Sequence, residues 1–283
     1  MECRLCPVGC GADRQNLVGR CSVKGLKIAK YYLHPFEEPP ISFSKGSGCI
    51  FFCGCSLRCA FCQNFELSRN VRGREISVKE LSDIFKELED MGADNINLVT
   101  PTHYADKIAE AFALYKPDIP VVYNTHGYEK METLEIVDTF TDIYLPDLKF
   151  IDPYLSEHYT GRSDYADYAL PAIRFMAQKP LKYDGGGKML SGCIVRHLIL
   201  PLAAYDSVKI IDFIATLPNS VYLSLMSQYT PFGESDKFPE LRRKITAREY
   251  KMVRDAVVRN NLKNVFLQDD SSSDASFIPK WDF

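Results

Sequence analysis

The chain has 283 residues, 46% of them hydrophobic and 25% charged, with a formal net charge of −3. That composition suits one large α/β domain or two smaller ones, and the charge balance gives no electrostatic reason to expect nucleic acid as a partner. No apolar run reaches the roughly 20 residues of a membrane helix, and the first six residues lack the layout of a signal peptide, so the cytoplasm is the expected compartment.

The ten cysteines fall in two groups, four within residues 3–21 and five within residues 49–62, with Cys193 apart. Tight groups in a chain without secretory features point to metal or iron–sulfur binding rather than disulfides. The first group, Cys3, Cys6, Cys10 and Cys21, has Pro7, Gly11 and Gly19 beside its thiols, residues that turn backbone tightly around a metal. Four thiolates there suit a second Fe–S cluster or a zinc ion, and spacing alone does not separate the two. Residues 1–30 are therefore expected to form a small Cys-rich metal-binding segment, followed by a Pro- and Gly-rich connector over residues 31–48. In that connector Glu37–Glu38 reads as a solvated turn, and His34 as structural.

From Cys49 the pattern becomes regular. Strands are expected at 49–53, 95–99, 120–124, 141–145, 193–201, 221–225 and 264–268. Helices are expected between them. Two open on capping boxes, Ser77 with Glu80 and Thr246 with Glu249. The others span 104–115, 129–137, a looser region to Gln178, and 207–217. Asp184–Lys188 reads as a loop, because no Ser or Thr follows the lysine of a phosphate loop. About six strand–helix repeats mean βαβ units and a parallel sheet. No dinucleotide fingerprint follows the first strand, so the expected fold is a partial (β/α)6 TIM-like barrel over residues 49–270 with a tail over 271–283.

In such a barrel chemistry gathers at the C-terminal strand ends. The unusual residues fall there: Cys55–Cys62, Thr100–His103, Asn124–Gly127, Asp147–Lys149, Arg196–His197 and Ser227–Gln228. Asp147 and Lys149 share a face by their spacing of two, with a simple salt bridge as the plainer account. His103, His126 and His197 either face the site or pack structurally. Cys49, Cys53 and Cys193 are expected to be buried small residues, and Tyr31, Tyr32, Tyr104 and Tyr123 core.

Cys55, Cys59 and Cys62 have C-x3-C-x2-C spacing directly after the first strand. Three thiolates on a [4Fe–4S] cluster leave one iron open to a small molecule. This loop resembles that of the radical S-adenosylmethionine (radical SAM) superfamily. Gly54–Cys55 and Cys62–Asn64 are similar to the activating enzymes of pyruvate formate-lyase and other glycyl radical enzymes. The resemblance implies that SAM completes the cluster and is cleaved reductively to a 5′-deoxyadenosyl radical, which takes a hydrogen from substrate.

It also implies the cofactor contacts. Phe61 stands for the aromatic residue beside the adenine. Asn124–Gly127 and Asp147–Lys149 resemble that family's segments near the SAM carboxylate, and Val195–His197 the strand whose arginine binds SAM. Thr100–Thr102 replaces a Gly-Gly-Glu segment that holds the SAM amino group. The expected SAM-binding set is Phe61, Asn64, Thr100, Thr102, Asn124, Thr125, Asp147, Lys149, Arg196 and Gln228, with no residue assigned as catalytic. A flavodoxin- or ferredoxin-like electron donor is implied, and a glycyl radical enzyme or other protein as substrate. The competing readings are a radical SAM enzyme acting on a small molecule or other macromolecule, and a non-catalytic Fe–S electron-transfer or zinc-binding module.

Overall fold

The computed structural model describes residues 2–14 and 16–267; the expected C-terminal tail lies outside the described residues. The chain opens on an antiparallel pair, β1 (Lys27–His34) and β2 (Ser47–Phe52), followed by α1 (Phe65–Ser68), β3 (Arg74–Glu75) and α2 (Val78–Asp90). It then runs β4 (Ile96–Val99), α3 (Ala105–Leu114), β5 (Val121–Thr125), α4 (Met131–Asp138), β6 (Ile143–Pro146), α5 (Pro153–Thr160) and α6 (Tyr165–Met176). The last part is β7 (Lys182–Tyr183), β8 (Met189–Leu198), α7 (Ala204–Ile214), β9 (Tyr222–Met226), α8 (Ala247–Arg259) and β10 (Val265–Leu267).

The strand order is β10-β9-β8-β6-β5-β4-β2-β1-β3. From β2 to β9 every neighbour on that path is parallel, which gives six βα units, and short β10 adds a parallel edge. The expected α/β architecture is therefore present. Both capping boxes form, with Ser77 and Thr246 each accepting from the backbone N–H of the glutamate three residues on. The region before Gln178 resolves into two helices, because Gly161 ends α5 in the left-handed conformation. Among the described residues no helix is long and apolar enough to cross a membrane.

Residues 31–48 are not a plain connector. Residues 31–34 complete β1, which pairs antiparallel with β2 through Tyr31–Ile50 and Tyr32–Cys49. A tyrosine pair without alternating polarity hides the strand from pattern reading, and cross-strand packing (Tyr32 stacks on Phe51 at 5.6 Å) supplies what pattern does not. The loop that joins β1 to β2 then crosses the N-terminal end of the sheet. Asp94 holds it, accepting from the backbone N–H groups of Phe43 (2.8 Å) and Gly46 (2.9 Å). Asn95 donates to Ile41 O at 2.5 Å. Ile41 is fully buried against Val122, Ile143, Leu145 and Ile194, so this loop is an apolar plug beneath the strands. Gly46 takes φ +95°, and a Cβ there would lie 2.6 Å from His34 O.

Outside the sheet, α2 and α3 cover β2 and β4, with Phe85 and Phe112 stacked at 4.4 Å. A larger apolar cluster packs α4 through α8 against the other strands and reaches the cysteine loop through Leu57 and Phe61.

Candidate active site

A cavity of about 350 Å³ opens at the C-terminal strand ends above the plug. Each side chain arrives there for a local reason. The loop after β2 turns through Gly54 at φ +83°, where a Cβ would collide with the carbonyl oxygen of Cys21. Cys55 and Cys59 are 7% exposed, Cys62 is half-buried, and all three line the cavity. Burial lifts the Cys55 thiol to about 11 and pushes that of Cys59 up as well. Buried thiols of this kind carry charge only when a metal centre compensates it.

Ion pairs order the adjoining wall. Asp147 accepts from Arg196 Nε at 2.8 Å and from Lys149 Nζ at 2.8 Å, and Arg196 Nη2 donates to Asn124 Oδ1 at 2.6 Å. Burial would raise the Asp147 carboxyl, but Arg196 and Lys149 outweigh it and hold it at about 2. Against the same burial penalty, Asp147 keeps Lys149 and Arg196 above their ordinary values. The spacing of two that puts Asp147 and Lys149 on one face thus gives the plain salt bridge between them, and Arg196 extends it to a charged triad on the cavity wall.

Of the ten SAM-contact candidates, nine line the cavity: Phe61, Asn64, Thr100, Asn124, Thr125, Asp147, Lys149, Arg196 and Gln228. Thr102 does not. It is fully buried, and its hydroxyl donates to Glu129 Oε1 at 2.6 Å, as does that of Thr125. Burial raises Glu129 to about 7 despite those donors. Glu129 therefore braces the turn after β4 from behind. The turn is strained, since β-branched Thr100 adopts φ +61°.

Among the three strand-end histidines, only His126 faces the cavity. Its Nδ1 accepts from the Tyr128 N–H, which leaves Nε2–H for the Ser56 hydroxyl at 3.1 Å, and burial keeps the ring neutral with a pKa of about 3. His103 binds Cys53 O at 2.9 Å, and His197 bridges Leu148 O and Ser207 Oγ. Both are structural. Cys49, Cys53 and Cys193 are buried as expected, but Cys49 also lines the cavity.

Glu37 and Glu38 also line it, and they correct the expectation of a solvated turn. Glu37 Oε2 accepts from Asn97 Nδ2 at 2.6 Å and from Asn124 Nδ2 at 3.3 Å, and Glu37 Oε1 lies 3.8 Å from Arg196 Nη1. Burial lifts Glu38 to about 7 against the pull of Arg196. Adjacent acids in a Pro-rich stretch give no sign of this, because the inward turn depends on Ile41 plugging the sheet from below.

The N-terminal cysteines sit beside the cavity, on the rim of the cluster loop. Arg20 donates from Nε to Ser56 O (3.1 Å) and from Nη2 to Thr160 O (2.7 Å). Arg14 donates to His103 O and lies over the Tyr104 ring at 4.7 Å. Cys6 and Cys21 are buried, and Cys10 is exposed. The sulfurs of Cys10 and Cys21 both approach Gly19, where a Cβ would press on Cys10 Sγ at 2.8 Å. Burial, reinforced by the other three thiols, raises Cys6 to about 11.

Among the described residues no three His, Cys, Asp or Glu side chains converge tightly enough for a single metal ion. A [4Fe–4S] cluster asks for something else, thiolates spread over several irons. The three-thiol set in a buried loop fits that group, and the adjoining Asp147–Lys149–Arg196 array can satisfy the charged ends of an amino acid.

Residues 49–185 match the family described as Radical SAM superfamily. The chain is 26% identical over 275 residues to "Uncharacterized protein MJ0674" of Methanocaldococcus jannaschii, covering 94% of this chain and 77% of that one. It is also 26% identical over 201 residues to the pyruvate formate-lyase-activating enzyme of Listeria monocytogenes, covering 64% of this chain and 74% of that one. Among solved structures, Streptococcus suis SuiB superposes at a TM-score of 0.50 and 17% identity in the form bound to S-adenosylmethionine, over 76% of this chain. The form bound to precursor peptide SuiA superposes at 0.50 and 15% identity over 76% of this chain. The match spans 48% and 46% of those SuiB chains, and at this identity it speaks to the fold alone. Over residues 49–185 the chain is thus similar to the radical SAM superfamily, and more weakly to the pyruvate formate-lyase-activating enzymes.

Proposed function

We propose that this protein is a radical SAM enzyme that removes a hydrogen atom from a peptide segment of a partner protein, a backbone glycine being the candidate donor. One observation carries the reading: the three thiols of the cysteine loop and the Asp147–Lys149–Arg196 triad line one cavity together. Cys55, Cys59 and Cys62 would hold a [4Fe–4S] cluster, and SAM would take the open iron. When bound, the pair supplies a 5′-deoxyadenosyl radical by reductive cleavage.

The chain's own residues supply position and dryness. Lys149 and Arg196 suit the SAM carboxylate, with Asp147 fixing both cations in place. Phe61, wedged edge-on between Phe150 and Tyr159, offers an apolar ring for the adenine. Thr100 and Asn124 present polar atoms to the amino group in place of a family carboxylate. The apolar plug under the strands keeps water from entering below, which protects a radical from quenching. A peptide donor is supported by homology to an activating enzyme of pyruvate formate-lyase and by an open sheet, whose end strands β10 and β3 do not pair with each other.

The four N-terminal cysteines are proposed to bind a second Fe–S cluster, since among the described residues no three of them converge as a single zinc ion requires, and a flavodoxin- or ferredoxin-like protein is proposed as electron donor. The substrate reading is tested with candidate glycine-containing partner peptides deuterated at glycine Cα. Deuterium found in 5′-deoxyadenosine supports it. Its absence with a peptide that nevertheless stimulates SAM cleavage contradicts glycine as the donor.

A further inference from the structure

The plug loop brings a feature to the cavity that binding of SAM does not account for. Glu37 and Glu38 rise from it beside Asn97, Asn124 and Arg196. Three carboxylates (Glu37, Glu38 and Asp147) here meet two cations, Lys149 and Arg196, and both cations are engaged by Asp147. Among the described residues no salt bridge reaches Glu38.

One buried acceptor beside these acids also stands without a donor. Asn97 is fully buried, its Nδ2 is given to Glu37, and its Oδ1 has no partner. Asn97 is in register with Cys49, a cavity-lining residue on the adjacent parallel strand, so its side chain points to the same face. The unmet acceptor and the surplus carboxylate both ask for a ligand rich in N–H donors and positive charge. Among the described residues no third His, Cys, Asp or Glu joins the two glutamates closely enough for a single metal ion, which favours an organic complement.

We infer that the floor formed by Glu37, Glu38 and Asn97 is the substrate subsite for a protonated nitrogen group, an ammonium or guanidinium such as a lysine or arginine side chain presents. This assignment rests on the radical SAM reading above and names the chemistry of its substrate. It fits the geometry. Asn97 lies two residues before the end of β4, so Glu37, which it holds, sits deeper in the barrel than Thr100 and the cysteine loop. A side chain reaching them would lay its stem along apolar Phe51, Val99 and Met226.

The test uses the full chain with its cluster reconstituted anaerobically and SAM present, and reads binding of n-butylguanidinium, n-butylammonium and neutral n-butylurea by ligand-observed NMR. At least one cation is expected to bind five-fold or more tightly than the urea, and Glu38→Gln is expected to bring that ratio near one. Glu37→Gln, which leaves the fold's charge balance different but its volume unchanged, is expected to reduce the ratio as well. Equal binding of the three probes to the unaltered protein overturns the assignment without any variant. A ratio unchanged in both variants overturns it too, as does a ten-fold loss of SAM affinity in Glu38→Gln by equilibrium dialysis, which would make the acids part of the SAM site. Failure of the radical SAM reading has a different signature: no 5′-deoxyadenosine from the reduced, reconstituted protein, whatever the probes do.

Discussion

Glu129 shows how much of this site is invisible at the level of single residues. In the sequence it is an unremarked acid before a helix, yet in the fold it is 1% exposed and accepts from Thr102, Thr125 and Tyr123. Its folded pKa of about 7 stands above the ordinary carboxylate value. An acid raised in this way favours the fold below its unfolded pKa, and the benefit is lost as pH rises through the folded value. Stability should therefore fall by about 3 kcal/mol between roughly pH 4.5 and 7.5 on account of Glu129. Glu38 titrates in the same window, so Glu129→Gln should remove part of the slope and Glu129→Gln with Glu38→Gln most of it. Urea midpoints measured across pH 5 to 8 check this, and parallel curves for all proteins would contradict it. The cysteines, by contrast, were legible at once, because ligand spacing within a loop is a local property that needs no tertiary partner.

At the scale of elements, strands and capped helices were legible wherever periodicity and caps agreed, as in α2 and α8. The β1–β2 pair and its plug loop were not. Tyr31 and Tyr32 carry no alternation, and Pro35, Pro39 and Pro40 speak for a loop without saying that it folds under the sheet. The physical weight of this loop is testable. Gly46→Ala forces a Cβ onto His34 O at a positive φ, so it should cost about 2 kcal/mol or more, read from urea denaturation. Gly185→Ala, in an exposed turn with nothing within 4 Å of the added Cβ, should cost less than about 1 kcal/mol. Equal effects would mean that the plug is not tied down. Ile41→Ala should remove about 2–5 kcal/mol, as the loss of a fully buried branched side chain does elsewhere.

Across the whole molecule, the N-terminal cysteine segment and the barrel meet at the rim of the cavity through Arg14, Arg20 and the Cys21–Gly54 contact. Arg20→Ala should raise hydrogen exchange in residues 2–24 and in the loop around Ser56, while β5 and β6 stay protected. Uniform exchange changes would contradict a local clamp. The barrel topology was readable from strand–helix alternation alone. The docking of the N-terminal segment was not, because two arginines reaching backbone carbonyls leave no pattern in sequence.

All three scales converge on the loop of Cys55, Cys59 and Cys62. The decisive measurement is 5′-deoxyadenosine formed from SAM by the anaerobically reconstituted, chemically reduced protein. The account predicts steady formation by the unaltered chain and none by Cys59→Ala, with the N-terminal cysteines intact in both. A fully assembled cluster that binds SAM and never cleaves it would contradict the account.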